Sequence, residues 1–218
     1  MAVVITYSGM VGSGKSVCSR YVGSELTEAG LPVYYLRFRF ISLKSFFEKK
    51  QGFKKFTYKE DKQQPDPESK KVRFQNFKLK SNLFFAASMA YYFWKAYLFF
   101  FLIKVRYPKD IVITDRYIYD HLVHYRLEQR GYRFLYRVFL KMLPEPDLAF
   151  VLTSDFETIR RARPSYATEY VQLNLANYNF IEELYPGAIL VRENQVKEKI
   201  ESVLNIVKAY LHKQKLGG

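Results

Sequence analysis

Cysteine is almost absent: Cys18 is the only one in 218 residues. A lone cysteine closes no intramolecular disulfide, which excludes a disulfide scaffold and makes a reducing, cytoplasmic interior the expected compartment. Proline and glycine are sparse, at eight and ten residues, so the composition fits neither collagen nor a low-complexity chain. Negative charge is short as well. Twenty-one Asp and Glu stand against thirty-five Lys and Arg, leaving +14. That excess makes polyanions such as nucleotides, nucleic acid or anionic lipid plausible partners without naming one. The first residues, Met1 to Thr6, lack the basic stretch of a signal peptide and run straight into an apolar segment.

Apolar residues make up 49% of the chain, enough to bury one sizeable core and too many for intrinsic disorder. Aromatic residues reach 18% and crowd between Leu83 and Ile103. This stretch is long enough to span a bilayer. It nevertheless holds Lys95, Ser88 and several tyrosines, and a span would place Gly9–Ser16 and Asp115-Arg116 on opposite sides of a membrane. A helix packed on a sheet is expected instead, with an apolar face available for self-association as a homodimer. The positive charge is concentrated too. Arg37 to Lys80 holds fourteen Lys and Arg against five Asp and Glu. Within it, residues from about 50 to 72 read as a polar insertion around Gln63-Gln64-Pro65-Asp66-Pro67. It is either a solvated loop or a basic lip for nucleotide or nucleic acid.

Continuous apolar runs at Val3–Ser8, Val33–Phe38, Asp110–Thr114, Asp147–Thr153 and Ala188–Val191 read as buried strands. Helical spacing fills the gaps at Lys15–Ala29, Val72–Lys104, Tyr119–Leu143, Asp155–Arg163, Tyr166–Leu184 and Gln195–Gln214, with Gly30 as a C-cap. Strands alternating with helices predict one α/β domain over 1–218, a doubly wound five-stranded parallel sheet with helices on both faces.

Gly9-Met10-Val11-Gly12-Ser13-Gly14-Lys15-Ser16 satisfies G-x-x-x-x-G-K-[ST] between a strand and a helix. The glycines let successive N–H groups converge on a phosphate, and the helix N-terminus adds partial positive charge. Gly9, Gly12, Ser13, Gly14, Lys15, Ser16 and Val17 are thus the expected nucleotide-binding positions. Lys15 would reach the β/γ-phosphates and Ser16 would ligate Mg²⁺. Asp115, closing an apolar strand, is the matching carboxylate for that metal, and Arg116 adds a planar cation to the same cleft. Arg160, Arg161 and Arg163 end a helix ahead of Pro164. Three such neighbours repel until an anion lies among them, so residues from about 155 to 165 read either as an arginine lid for phosphates or as a solvated basic helix end that complements the dipole. On a helix Arg160 and Arg163 share a face that Arg161 does not. His121 and His124 lack a third metal ligand nearby, and Cys18 reads as a packed apolar residue.

Together these residues resemble the thymidylate kinase family of nucleoside-monophosphate kinases. The likeness runs through Gly9–Ser16, Leu36-Arg37, Leu83-Phe84-Phe85-Ala86-Ala87-Ser88, Asp115-Arg116-Tyr117, the three arginines and Tyr178 to Pro186. It implies a P-loop fold that moves the γ-phosphoryl of ATP onto a nucleoside monophosphate with Mg²⁺, with dTMP the leading acceptor. Arg37, with Arg39 as its rival, and Arg116 would hold the acceptor, and Phe85 would stack on its base. Met10, Val11 and Ser13 carry no charge, so the chain is similar to members whose lid supplies the transition-state arginine, here Arg160 or Arg163. Two positions depart from the family: Met89 replaces an arginine that reads the thymine edge, and Asp120 replaces a serine. A second function class stays open, a nucleotide-binding protein without phosphoryl transfer that uses its basic segment to hold nucleic acid or a protein.

Overall fold

Residues 3–7 are Val, Val, Ile, Thr and Tyr, branched and aromatic side chains that suit an extended, packed backbone. In the computed structural model, which describes residues 2–37, 82–123, 130–164, 166–185 and 187–216, they open strand β1, Val3–Gly9. Helix α1, Lys15–Glu28, and β2, Val33–Arg37, follow. Next come α2, Asn82–Arg106, β3, Ile111–Asp115, the single turn α3, Tyr119–Leu122, and α4, Arg130–Met142. Strand β4, Leu148–Leu152, leads to α5, Phe156–Ala162, and α6, Thr168–Leu184. Strand β5, Ala188–Val191, and α7, Val196–Leu216, complete the order.

The strands form one parallel sheet in the order β2-β3-β1-β4-β5. Parallel neighbours need crossover helices, so both faces are covered and the strands have no wet side. One face packs Ile5, Tyr7, Ile113 and Phe150 against Cys18, Val22 and Leu26 of α1 and Val203 and Val207 of α7. The other packs Val4, Val112 and Val151 against Phe99 and Ile103 of α2, Phe139 of α4 and Ile181 of α6. The α/β class, five strands and helices on both faces expected from the pattern are all present.

Boundaries shift by a residue or two, with three larger differences. The helix expected over 72–104 is described from Asn82 and continues to Arg106; its earlier part lies outside the described residues. The single helix expected over 119–143 is interrupted: its first turn ends at Leu122 with Val123 as C-cap, helix is described again over Arg130–Met142, and 124–129 lie outside the described residues. The insertion at about 50–72 lies outside as well.

Register sets where the loops leave the sheet. Tyr7 pairs with Asp115 on β3, and Gly9 pairs with Leu152 on β4, so the carboxyl ends of three strands sit side by side. Gly9 has φ +140°, and a Cβ placed on it would lie 2.0 Å from the Leu152 carbonyl oxygen. We therefore expect Gly9→Ala to destabilise the chain by about 2–4 kcal/mol through combined backbone strain and overpacking. Gly30→Ala, with φ +79° but open space around it, should cost only about 1–2 kcal/mol. Urea unfolding of the two variants checks this ordering; equal losses would contradict it.

Candidate active site

The chain between β1 and α1 turns tightly because Ser13 N–H donates to the Met10 carbonyl at 3.1 Å, and Gly14 caps α1 in the left-handed region with φ 87°. The Lys15 ammonium reaches back to the same Met10 carbonyl at 2.7 Å and is buried. Burial pulls its pKa down to about 8. The Asp120 and Asp115 carboxylates oppose that fall, while Arg116 and Lys199 add to it. The Ser13 hydroxyl, inside this loop, is buried with no hydrogen-bond partner among the described residues. A buried ammonium and an unused hydroxyl in a glycine-rich turn at a helix N-terminus are what an incoming phosphate would satisfy.

Ser16 Oγ donates to Asp115 Oδ2 at 3.2 Å. A hydroxyl and a carboxylate side by side at the mouth of a phosphate loop are hard oxygen donors that fit Mg²⁺. Tyr35 lies beside Asp115, and burial, helped by that carboxylate, pushes its hydroxyl up to about 12. After Asp115 the backbone reverses at Arg116, whose φ of 77° is rare for a non-glycine residue. Two hydrogen bonds impose that conformation: Arg116 N–H donates to the Tyr7 carbonyl at 2.9 Å, and Thr114 Oγ1 donates to the Arg116 carbonyl at 2.6 Å. Strain held at a cleft residue in this way is a mark of functional positioning.

The three arginines after β4 separate. Arg160 donates to the Tyr166 carbonyl, which ties it to the chain leading into α6. Arg161 is exposed. The Arg163 stem lies over the phosphate loop: a Cβ built on Gly12 would be 3.5 Å from Arg163 Cγ and 3.4 Å from Ala162 Cβ. Arg160 and Arg163, expected to work from one helix face, therefore do different things. Arg37 ends β2 in register with Asp115. Its side chain, that of Phe85, and all of Arg39 lie outside the described residues, as do the side chains of His121 and His124. Among the described residues no cluster of His, Cys, Asp or Glu could hold a metal by itself. Burial pushes the Cys18 thiol up to about 12, which keeps it unreactive. Met89 is buried and lines an apolar groove with Phe93 and Phe139.

Two buried charged residues join the site in the structure: Lys199, which the sequence reading did not single out, and Asp120, noted there only as a departure from the family's serine. Asp120 accepts from Gly9 N–H at 3.2 Å and from the Tyr178 hydroxyl at 2.9 Å through Oδ1, and from Tyr117 N–H at 3.3 Å through Oδ2. One carboxylate thus joins the start of the phosphate loop, the Asp-Arg-Tyr turn and α6. Lys199 of α7 is 1% exposed, and its ammonium donates to the carbonyls of Ser13 at 3.0 Å and Thr153 at 2.6 Å and to Ser154 Oγ at 2.5 Å. Burial lowers its pKa to about 8, against Glu193, Cys18 and Asp155. A lysine four residues before Val203, on the apolar stripe of α7, was the available signal. Lys199→Met is expected to lower the unfolding free energy by about 2–4 kcal/mol, because three buried acceptors lose their donor. It should also weaken nucleotide binding through a displaced Ser13 peptide. Urea titration with calorimetry of ADP binding checks both, and unchanged values would remove Lys199 from the site.

Neither a family model nor a curated sequence matches the chain. Among solved structures, the thymidylate kinase from Ehrlichia chaffeensis is similar over 94% of this chain and 98% of its own, at a TM-score of 0.57 and 17% sequence identity. At that identity the likeness establishes the fold alone: the chain has the α/β architecture of a thymidylate kinase.

Proposed function

We propose that the chain is a P-loop nucleoside-monophosphate kinase that transfers the γ-phosphoryl of ATP to a nucleoside or deoxynucleoside monophosphate, dTMP first among the acceptors. The observation that carries the reading is convergence: Lys15, the Ser16–Asp115 pair, Arg116 and the Arg163 stem gather around one loop at the carboxyl edge of the sheet. A protein that only bound nucleotide would have no need of the full set. The fold neighbour, itself a thymidylate kinase, adds support.

In this reading Lys15 releases the Met10 carbonyl and neutralises the β- and γ-phosphates. Ser16 and Asp115 would hold Mg²⁺, which when bound supplies charge neutralisation on the phosphate oxygens. Arg163 reaches over Gly12 to meet charge that develops as the phosphoryl group moves. Arg160 acts indirectly, by fixing the Tyr166 end of the lid. Arg37, which ends β2, and Arg116, just after the neighbouring β3, orient the acceptor's phosphate, and Arg39 and Phe85 keep the roles implied by resemblance. A second reading, nucleotide binding without transfer, draws on Met89. Its burial in an apolar groove leaves no base-edge donor at that position.

ADP release measured with dTMP, dUMP, UMP, CMP, AMP and GMP separates the two. The kinase reading expects turnover with at least one acceptor, abolished in Lys15→Ala; ATP binding with no acceptor-dependent ADP supports the second. Arg163→Ala is expected to lower kcat about 10³-fold with little change in the KM for ATP. Arg160→Ala, acting through lid position, should move kcat and KM together. Steady-state kinetics of the two variants checks the division, and an Arg163 variant within twofold of wild type would contradict it.

A further inference from the structure

Asp120 stands where the family this chain resembles has a serine. The exchange changes what the position can hold. A hydroxyl offers one oxygen, whereas an ionised carboxylate offers two, with room for about four donors. Asp120 takes donors from three separate parts of the site. Oδ1 accepts from Gly9 N–H at 3.2 Å and from the Tyr178 hydroxyl at 2.9 Å, and Oδ2 accepts from Tyr117 N–H at 3.3 Å. The residue is 3% exposed, so bulk water does not replace a donor that moves away.

The donors differ in how firmly they are held. Gly9 is pinned against Leu152, and Tyr117 is anchored by its own hydroxyl, which donates to the Pro144 carbonyl at 2.7 Å. Tyr178 belongs to α6, the helix that begins just after the lid. Arg160 ties the lid to the chain entering that helix through the Tyr166 carbonyl. Burial, then the Asp120 charge, push the Tyr178 hydroxyl well above the ordinary tyrosine range, so it stays a donor. The oxygen it reaches is the one that also holds the first residue of the phosphate loop. A displacement of α6 therefore passes to Gly9 through a single atom.

Helix α6 also faces the arginine after β3. Tyr170, Asn174 and Tyr178 are spaced by four and share one face of the helix. Arg116 opposes the burial-driven rise of both the Tyr170 and the Tyr178 hydroxyls, so its guanidinium acts on this face. An anion placed on Arg116 changes the field at Tyr178 and, through it, the bond to Asp120.

We propose that Asp120 is a positioning residue that couples the two substrates: a monophosphate on the Arg116 side is sensed at the phosphate loop through the Oδ1 atom shared by Tyr178 and Gly9. This rests on the kinase reading, which puts the acceptor's phosphate on Arg116. Whichever ligand binds first sets the Asp120 frame, and the second finds it already set, so each tightens the other.

The coupling is measured by calorimetry of Mg-ADP binding to the full-length protein. The protein is titrated alone and saturated with dTMP, or with whichever tested monophosphate is turned over fastest. In the wild type the monophosphate is expected to tighten ADP at least about fivefold. Tyr178→Phe cuts only the α6 arm: ADP alone should bind within about twofold of wild type, and the tightening should vanish. Asp120→Asn keeps Oδ1 as an acceptor and should retain the tightening. Asp120→Ala should lose it, with no further loss on adding Tyr178→Phe, because both remove one link. A tie that only stabilised the fold would lower the urea midpoint of these variants and leave the tightening intact. That result, or a wild type that turns over a monophosphate while its ADP affinity ignores it, overturns the proposal and leaves the kinase reading standing. If no monophosphate is turned over and none alters ADP affinity, both fall.

Discussion

Strand β1 is hydrogen-bonded on both sides, to β3 and to β4, and everything at the site is measured from where that double ladder ends. Its last residue, Gly9, packs so close to Leu152 that no side chain fits, while its N–H is taken by the Asp120 carboxylate. The phosphate loop therefore leaves the sheet at one place and in one direction. Arg116 is held by the same strand, through the Tyr7 carbonyl, and Asp115 pairs in register with Tyr7. Loop, carboxylate and arginine keep their mutual spacing because one strand positions all three.

The site's electrostatics follow from its burial. Two ammonium groups, Lys15 and Lys199, lie under the phosphate loop, and burial lowers each to a pKa of about 8. Their hydrogen bonds run to neutral acceptors: Lys15 to one carbonyl, Lys199 to two carbonyls and a hydroxyl. The Asp120 and Asp115 carboxylates offset part of this cost for Lys15. Buried cations held chiefly by neutral acceptors favour a polyanion at the loop, which stabilises the charged lysines and is stabilised by them.

Most of the fold was legible in the sequence because parallel strands covered on both faces leave continuous apolar runs, and crossover helices must lie between them. The glycine-rich turn between β1 and α1 was legible because its positive φ angles at Gly9, Gly12 and Gly14 call for glycine at fixed positions. Lys199 and Asp120 were not, since each acts across the fold, 186 residues from Ser13 and 111 from Gly9, and no local pattern encodes such a distance. Helical periodicity grouped Arg160 with Arg163, but Arg160 was diverted by a backbone carbonyl that helical geometry alone does not reveal. The run from Leu83 to Ile103 was read correctly as a packed helix, yet which of its faces stays exposed became visible only once the sheet claimed the other.

The central claim is that the loop at Gly9–Ser16 receives phosphate on a buried, partly deprotonated Lys15. An arriving triphosphate must raise that lysine's pKa, because an adjacent negative charge favours the ammonium form. At pH 8 the free protein carries Lys15 about half protonated, so binding should take up as much as about 0.5 proton from solvent. Titration calorimetry of Mg-ATP at pH 8, in buffers of different ionisation enthalpy, measures that uptake directly. The account expects net proton uptake that diminishes toward pH 7 and is largely lost in Lys15→Met. Tight binding with no proton uptake at pH 8, or no binding at all, would contradict it.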